Sequence, residues 1–168
     1  VTRQQLVAIA TVNRYNKWCS KRKKVSAKMD QILKSISILY RKSHIWLNNS
    51  CAQFGLTSPQ AMVILLVCDF STLTQDEITK RLNLDKSVVA KTVNKLIQSD
   101  FMVRTTNRKD KRTYDIMPTS KAWEVYPFIK SQVRDCFEQI TRQMTEEERA
   151  VFERLLAIAA QSALEMDE

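Results

Sequence analysis

Two capped helices follow each other directly in the segment Leu73–Met117, and this arrangement limits the possible folds more than any other feature of the chain. The first helix opens with Thr74 and Glu77, a capping box in which each side chain bonds the backbone amide of the other residue. Asn83 tolerates the left-handed conformation that a tight turn requires. Asp85 is then placed to cap a second helix. The sequence therefore predicts a helix-turn-helix.

The second helix of this pair has two contrasting faces. Its apolar side chains, Val89, Val93 and Leu96, recur at helical spacing and form the predicted buried stripe. A polar and basic outer face is typical of a recognition helix that enters the DNA major groove. The alternative is a helical hairpin whose outer face is simply solvated. The outer face carries small, hydrogen-bonding or cationic side chains and no carboxylate: Lys86, Ser87, Ala90, Lys91, Asn94 and Lys95.

A basic β-hairpin is predicted immediately after the helix pair. Residues Phe101–Thr106 and Thr113–Met117 are rich in β-formers and flank the segment Asn107–Arg112. A helix-turn-helix followed by such a hairpin predicts a winged helix, and it favours DNA binding as the function. The tip of the hairpin holds four cations and one carboxylate: Arg108, Lys109, Asp110, Lys111 and Arg112.

The chemistry of the outer helix face indicates a division of roles. Asn can bond adenine at two points, Lys favours guanine O6 and N7, and the Ala methyl can meet a thymine methyl. We therefore predict contacts to base edges from Ser87, Ala90, Lys91 and Asn94, and contacts to phosphates from Lys86 and Lys95.

These motifs resemble the MarR-type (multiple antibiotic resistance regulator) transcription factors. The resemblance is carried by Leu82–Val89 at the turn and recognition helix, by Asp110-Lys111-Arg112 on the wing and by Pro118–Ala122 after it, and it covers about residues 29–164. The family usually shows D-x-R on the wing and L-T-x-x-G after it. This chain departs from that pattern at positions that do not read DNA: Asn83 replaces a common Gly, Pro118 a Leu and Ala122 a Gly.

The resemblance implies a mainly α fold with a small β-wing, flanked by N- and C-terminal dimerisation helices. It gives Arg112 a minor-groove contact, with Asp110 orienting its guanidinium, and it places Arg108, Lys109 and Lys111 on the DNA backbone. A narrow A·T minor groove attracts such an arginine. The alternative for Arg112 is a surface residue paired to Asp110.

The charge of the chain is distributed unevenly around a net value of +9. Residues 1–73 hold 11 Lys and Arg against 2 Asp and Glu, whereas residues 122–168 hold 5 against 10. This polarity favours a polyanionic partner, and binding should weaken steeply with salt. The longest apolar run, Ala61–Val67, is shorter than a membrane span, so no membrane is expected.

Four segments are expected along the chain: a basic arm over 1–28, a dimerisation helix over 29–56, the winged helix-turn-helix over 57–118, and C-terminal dimerisation helices over 119–168. The arm is either a flexible tail or a segment that binds the DNA backbone or extends the dimer contact. The two C-terminal helices carry apolar stripes with little local surface to bury against. A homodimer follows, and its two-fold symmetry predicts a pseudo-palindromic site on double-stranded DNA.

The resemblance further implies a cleft for a small anionic aromatic effector. Tyr40, Arg41, His44 and Trp46 lie near such a cleft in this interpretation, since a cation beside aromatic rings suits an aromatic acid. Tyr40 also falls on the apolar stripe of the predicted dimerisation helix over 29–56, and we interpret it first as a core residue.

The remaining chemistry argues against an enzyme and against a metal or cofactor. The chain has a single His and shows neither a metal-ligand pattern nor a catalytic motif. Free thiols in a reducing cytoplasm are expected. Cys68 and Cys136 sit on apolar faces and are predicted core, whereas Cys19 lies among cations. A cysteine-based redox regulator and a non-specific, architectural DNA-binding protein are the alternatives to a sequence-specific regulator.

Overall fold

The computed structural model describes residues 30–107 and 111–167. Residues 30–51 form helix α1. It is followed by a 3-10 turn, Ala52–Phe54, that ends at Gly55 with a φ of 69°, a left-handed conformation that glycine adopts without strain. The chain divides into two compact units between Lys42 and Ser43, and the winged region described below belongs to the second unit.

The second unit continues through five further α-helices and three strands. Their bounds are α2 Ser58–Phe70, β1 Leu73–Thr74, α3 Gln75–Leu82, α4 Lys86–Gln98, β2 Met102–Thr106, β3 Tyr114–Pro118, α5 Ser120–Thr141 and α6 Glu146–Leu164. A short 3-10 helix, Glu165–Asp167, follows α6. The mainly α fold with a small β-wing predicted from the sequence is confirmed.

Helix starts follow the capping residues that the sequence supplies. Thr57 and its partner Gln60 form a capping box in front of α2, with Pro59 in the first turn. Thr119 caps α5 through a hydrogen bond from the Ala122 amide. Thr145 opens α6 with another capping box, in which the Glu148 amide donates to Thr145 Oγ1. Each cap satisfies amides that have no intrahelical partner.

The core of the second unit is built around α2. This helix packs against α4, α5 and β3. The position of α2 is central, because its residues Ala61, Ile64 and Val67 are fully buried. Phe54 and Phe128 meet edge to face with ring centroids 5.1 Å apart, which joins the start of the unit to α5.

The sheet has one strand more than the sequence analysis predicted. The hairpin strands β2 and β3 are as expected to within a residue, but β1 pairs with β3 and gives the order β1-β3-β2. In this register Leu73 faces Ile116, and Ile116 also faces Arg104. A two-residue strand has no periodicity to detect, so only the tertiary pairing reveals it.

Among the described residues no single helix is long and apolar enough to cross a membrane; one bent pair, Asp30–Phe54 with Ser58–Phe70, meets the criterion by length and composition.

Candidate nucleic-acid interface

The helix pair α3–α4 is held by the local bonds that the sequence predicts. The Thr74 amide donates to Glu77 Oε2 at 2.7 Å, and the Glu77 amide donates to Thr74 Oγ1 at 3.3 Å. Asn83 occupies the turn with φ 46° and ψ 51°. The Ser87 amide donates to Asp85 Oδ1 at 2.7 Å, which caps α4. The predicted caps and turn are confirmed.

The same bonds bias the charge state of the two capping carboxyls. Hydrogen bonds from the backbone amide and the hydroxyl of Thr74 lower the pKa of Glu77. Hydrogen bonds from Ser87 lower the pKa of Asp85 in the same way. A carboxylate that accepts such bonds is stabilised in its charged form. Both helix N-termini therefore carry a negative charge at neutral pH, which their unpaired amides favour.

Helix α4 separates its faces cleanly. Val89, Val93 and Leu96 have 0% exposure, so the predicted buried stripe is confirmed. Five of the six side chains on the predicted outer face are exposed, and the sixth, Ala90, is half-buried; the exposed five are Lys86, Ser87, Lys91, Asn94 and Lys95. The predicted outer-face residues of α4 therefore lie on one surface, and three of them are lysines.

Lys86 is tied to the preceding helix by an exposed ion pair. Its Nζ lies 3.1 Å from Asp76 Oδ1, and the two side chains are 79% and 63% exposed. Ion pairs with this exposure contribute about 0–1 kcal/mol. Such a weak pair leaves Lys86 able to exchange Asp76 for a phosphate at little cost.

Arg104 is a polar residue of this surface that the sequence analysis did not single out. Its Nη2 donates to Asn94 Oδ1 at 3.0 Å and to Gln75 Oε1 at 3.1 Å. One arginine on β2 therefore connects the first residue of α3 to the outer face of α4. The sequence contained a signal for this position. Strand alternation puts Arg104 on the same face as Met102, which is buried, so a charged residue stands on the inner face of β2.

The base of the wing is well defined, whereas its tip is only partly described. The Asn107 amide donates to the Thr113 carbonyl at 3.0 Å, and Asn107 Nδ2 donates to Asp115 Oδ1 at 2.6 Å. Lys111 and Arg112 are exposed. The predicted wing residues Arg108, Lys109 and Asp110 lie outside the described residues, and with them the proposed pairing of Asp110 with Arg112.

A cavity of about 640 Å³ opens beside the wing base, where β1, the start of α3 and the sheet meet. It is lined by Thr72, Leu73, Thr74, Glu77, Thr105, Thr106, Asn107, Asp115 and Met117. None of the predicted effector residues lines this cavity.

The four predicted effector residues are placed as follows. Tyr40 is 62% exposed, so its interpretation as a core residue was wrong for the single chain. Arg41 is exposed, and its Nε donates to the Ser37 carbonyl at 3.3 Å. His44 and Trp46 are half-buried. Trp46 Nε1 donates to the Gln132 carbonyl at 3.2 Å, which anchors the indole to α5.

The described cysteines are poorly suited to redox sensing. Burial, together with the neighbouring Asp69, raises the pKa of Cys68 to about 11. Burial also raises the pKa of Cys51 and of Cys136. A thiol with a raised pKa is scarcely ionised at neutral pH and is a weak nucleophile. Cys136 is half-buried in the single chain, so its prediction as a core residue was only partly right. Cys19 lies outside the described residues.

A capped helix pair with a polar outer helix face, followed directly by a hairpin, defines a winged helix-turn-helix protein. Comparison with known proteins takes this further. A sequence model described as MarR family matches residues 54–113. The HTH-type transcriptional repressor MdtR of Bacillus subtilis (strain 168) is 26% identical over 140 residues, which cover 83% of this chain and 90% of MdtR.

Solved structures show the same fold. A MarR transcriptional regulator from Methanosarcina mazei Go1 superposes with a TM-score of 0.77 at 23% identity, covering 82% of this chain and 99% of that one. A mutant MarR from E. coli complexed with operator DNA superposes with a TM-score of 0.70 at 22% identity, covering 77% and 93%. Residues 54–113 are thus similar in sequence to the MarR family, and the described chain has the fold of MarR-type transcriptional regulators.

Proposed function

We propose that the chain is a homodimeric repressor that reads a pseudo-palindromic DNA site, with α4 in the major groove and the wing in the minor groove. The observation that carries this proposal is the face of α4 opposite Val89, Val93 and Leu96. Those three side chains are fully buried, while the opposite face presents lysines and hydrogen-bonding groups to solvent. A helix fixed in this way can offer side chains to base edges without unfolding.

Within α4 we assign base contacts to Ser87, Ala90, Lys91 and Asn94, and phosphate contacts to Lys86 and Lys95. The exposure of Lys91 and Asn94 supports the first group. The weak pairing of Lys86 with Asp76 supports the second. On the wing, we assign Arg112 to the minor groove and Arg108, Lys109 and Lys111 to the backbone. The exposure of Lys111 and Arg112 supports this assignment.

Dimerisation is proposed from the terminal helices. Helix α6 contributes no buried residue to the chain, and Leu155 and Leu156 are about half exposed at 50% and 51%. A run of apolar side chains on one helix that the described part of the chain leaves uncovered fits a two-fold contact with a second copy. Such a dimer sets two recognition helices about 34–36 Å apart, one turn of DNA.

Repression and effector release are the remaining parts of the proposal. Repression is supported by the similarity to MdtR, which is named a transcriptional repressor. An anionic aromatic effector that lowers DNA affinity is proposed from the cationic and aromatic side chains of Tyr40, Arg41, His44 and Trp46. Titration of the DNA complex with benzoate tests it: the complex should dissociate, and undiminished binding at millimolar benzoate would remove the effector from the proposal.

Selection of bound sequences from a random DNA pool tests DNA recognition and symmetry together. We expect one enriched motif with two inverted half-sites centred about 10 base pairs apart. Competition with scrambled duplexes then gives the specificity ratio. A ratio near one would leave only non-specific DNA binding, and an enriched motif without inverted repeats would argue against the dimer.

A further inference from the structure

Arg104 occupies a position in the sheet where an apolar residue would be expected. It pairs in register with Ile116, which is fully buried, and it shares its face of β2 with the buried Met102. That face is turned toward α4, against which β2 packs. The Arg104 side chain, although exposed at its end, therefore emerges between the wing and the recognition helix.

The hydrogen bonds of Arg104 fix the orientation of two amides. A guanidinium carries donors and no acceptor, so it must meet the oxygen of each amide that it contacts. Its Nη2 meets Asn94 Oδ1 at 3.0 Å and Gln75 Oε1 at 3.1 Å. The Asn94 amide is thereby held with its oxygen toward Arg104, and its Nδ2 is the end left for another partner.

Arg104 is itself held in place from the wing side. Its Cζ lies 5.4 Å from the centroid of the Tyr114 ring, within the range of a cation–π contact. Tyr114 pairs with Thr106 in the sheet, and Thr106 lies two residues beyond Arg104 on the same face of β2. The guanidinium thus has contacts on both sides, to the ring of the wing and to the amides of the helices.

We propose that Arg104 is a positioning residue that orients the amide of Asn94 and thereby sets which base Asn94 selects; this inference rests on the DNA-binding function proposed above. An unrestrained Asn bonds adenine at two points, donating to N7 and accepting from the N6 amino group. With Oδ1 engaged by Arg104, Asn94 presents Nδ2 as a donor. Adenine, guanine and thymine each present an acceptor in the major groove, whereas cytosine presents only an amino donor, so Asn94 then selects against cytosine.

The test is random-pool selection with five proteins: the wild type, Asn94→Ala, Arg104→Met, Lys95→Met and the double variant Arg104→Met/Asn94→Ala. Met is close to Arg in length but has neither donor nor charge. Lys95→Met is the matched control, because it removes one charge from the same surface at an exposed residue without touching the Asn94 amide. We expect Lys95→Met to weaken binding evenly across sequences.

Arg104→Met should instead lose discrimination, about tenfold or more, at the same base pair that Asn94→Ala affects. The double variant Arg104→Met/Asn94→Ala should lose no further discrimination there. The inference is overturned if Arg104→Met weakens all sequences evenly as Lys95→Met does, if it alters a different base pair, or if Asn94→Ala alters none. If the wild type enriches no sequence at all, the proposed function fails first.

A measurement on the free protein checks the orientation without DNA. In the wild type, the NMR relaxation of the Asn94 side-chain amide, assigned by its loss in Asn94→Ala, should show an ordered group. In Arg104→Met it should become mobile on the picosecond to nanosecond timescale. Equal mobility in both proteins would show that Arg104 does not hold Asn94. Thermal unfolding of each variant confirms that the fold is retained.

Discussion

Helix α4 and the last helix α6 carry similar apolar patterns but lie in different environments. Val89, Val93 and Leu96 of α4 are completely buried by the chain itself. Helix α6 has apolar residues at comparable spacing, yet none of them is buried. Its most direct ring contact is the stacking of Phe152 on Phe137 of α5, with centroids 6.4 Å apart. The two regions therefore differ in what stabilises them.

The difference lies in which residues bury the apolar side chains of each helix. The winged region shares one buried core with α1 and α5, which fixes its position and lets its outer surface be polar. Helix α6 leaves side chains such as Leu155 about half in solvent, and fully burying one leucine contributes about 1.5–3 kcal/mol. A second copy of the chain could therefore stabilise α6 by burying these side chains, whereas the apolar side chains of α4 are already buried.

The largest expected effect lies in the buried core that contains α4. Leu96→Ala should lower the free energy of unfolding by about 2–5 kcal/mol, because it removes buried methyl groups and leaves a cavity. The matched change Leu155→Ala in α6 should cost less than about 1 kcal/mol at concentrations where the protein is monomeric. Urea denaturation measures both. Equal losses at the two sites would contradict the distinction between the regions.

The next effect concerns assembly. Leu155→Lys should weaken self-association by about 100-fold, because two leucines per two-fold contact are lost at about 1.5 kcal/mol each or more. Sedimentation velocity over a concentration series gives the change in the dimer dissociation constant. Glu153→Lys is the control, since a residue two positions away faces the opposite side of the helix. A dimer that tolerates Leu155→Lys would remove α6 from the contact.

On the wing, Arg112→Ala should cost about 1–3 kcal/mol of specific DNA binding if the guanidinium lies in the minor groove. Lys111→Ala, the neighbouring exposed cation, should weaken binding evenly and lower the salt slope by about 1. Titrations at several salt concentrations separate the two. If the variants behave alike, Arg112 is only another backbone contact.

The smallest effect is the pH dependence of the α3 cap. The bonds from Thr74 lower the pKa of Glu77 in the folded protein below its unfolded value of about 4.3. The stabilisation is therefore present above that value and is lost as the pH falls through the folded pKa. Glu77→Gln should cost about 0.3–1 kcal/mol at neutral pH and nothing once Glu77 is protonated. Urea denaturation along a pH series measures this, and a cost independent of pH would show that the charge contributes nothing.

Local features of the winged region could be predicted because their causes are local. Thr74 and Glu77 lie three residues apart, so their mutual capping needs no other part of the chain. The left-handed turn at Asn83 and the cap at Asp85 follow from single side chains. The amphipathic pattern of α4 gave its inner and outer faces. The exposure of Tyr40 and the half-burial of Cys136 were missed, since a periodic stripe does not say what covers it.

The sequence by itself determined where α3 and α4 begin, which face of α4 is polar, and that a cation-rich hairpin follows. These depend on contacts between residues a few positions apart. Only the tertiary structure decided that β1 joins the sheet. It also decided that Arg104 donates hydrogen bonds to Asn94 and Gln75, which lie ten and twenty-nine residues away. Such contacts arise when packing brings distant elements together, and no short-range pattern encodes that distance.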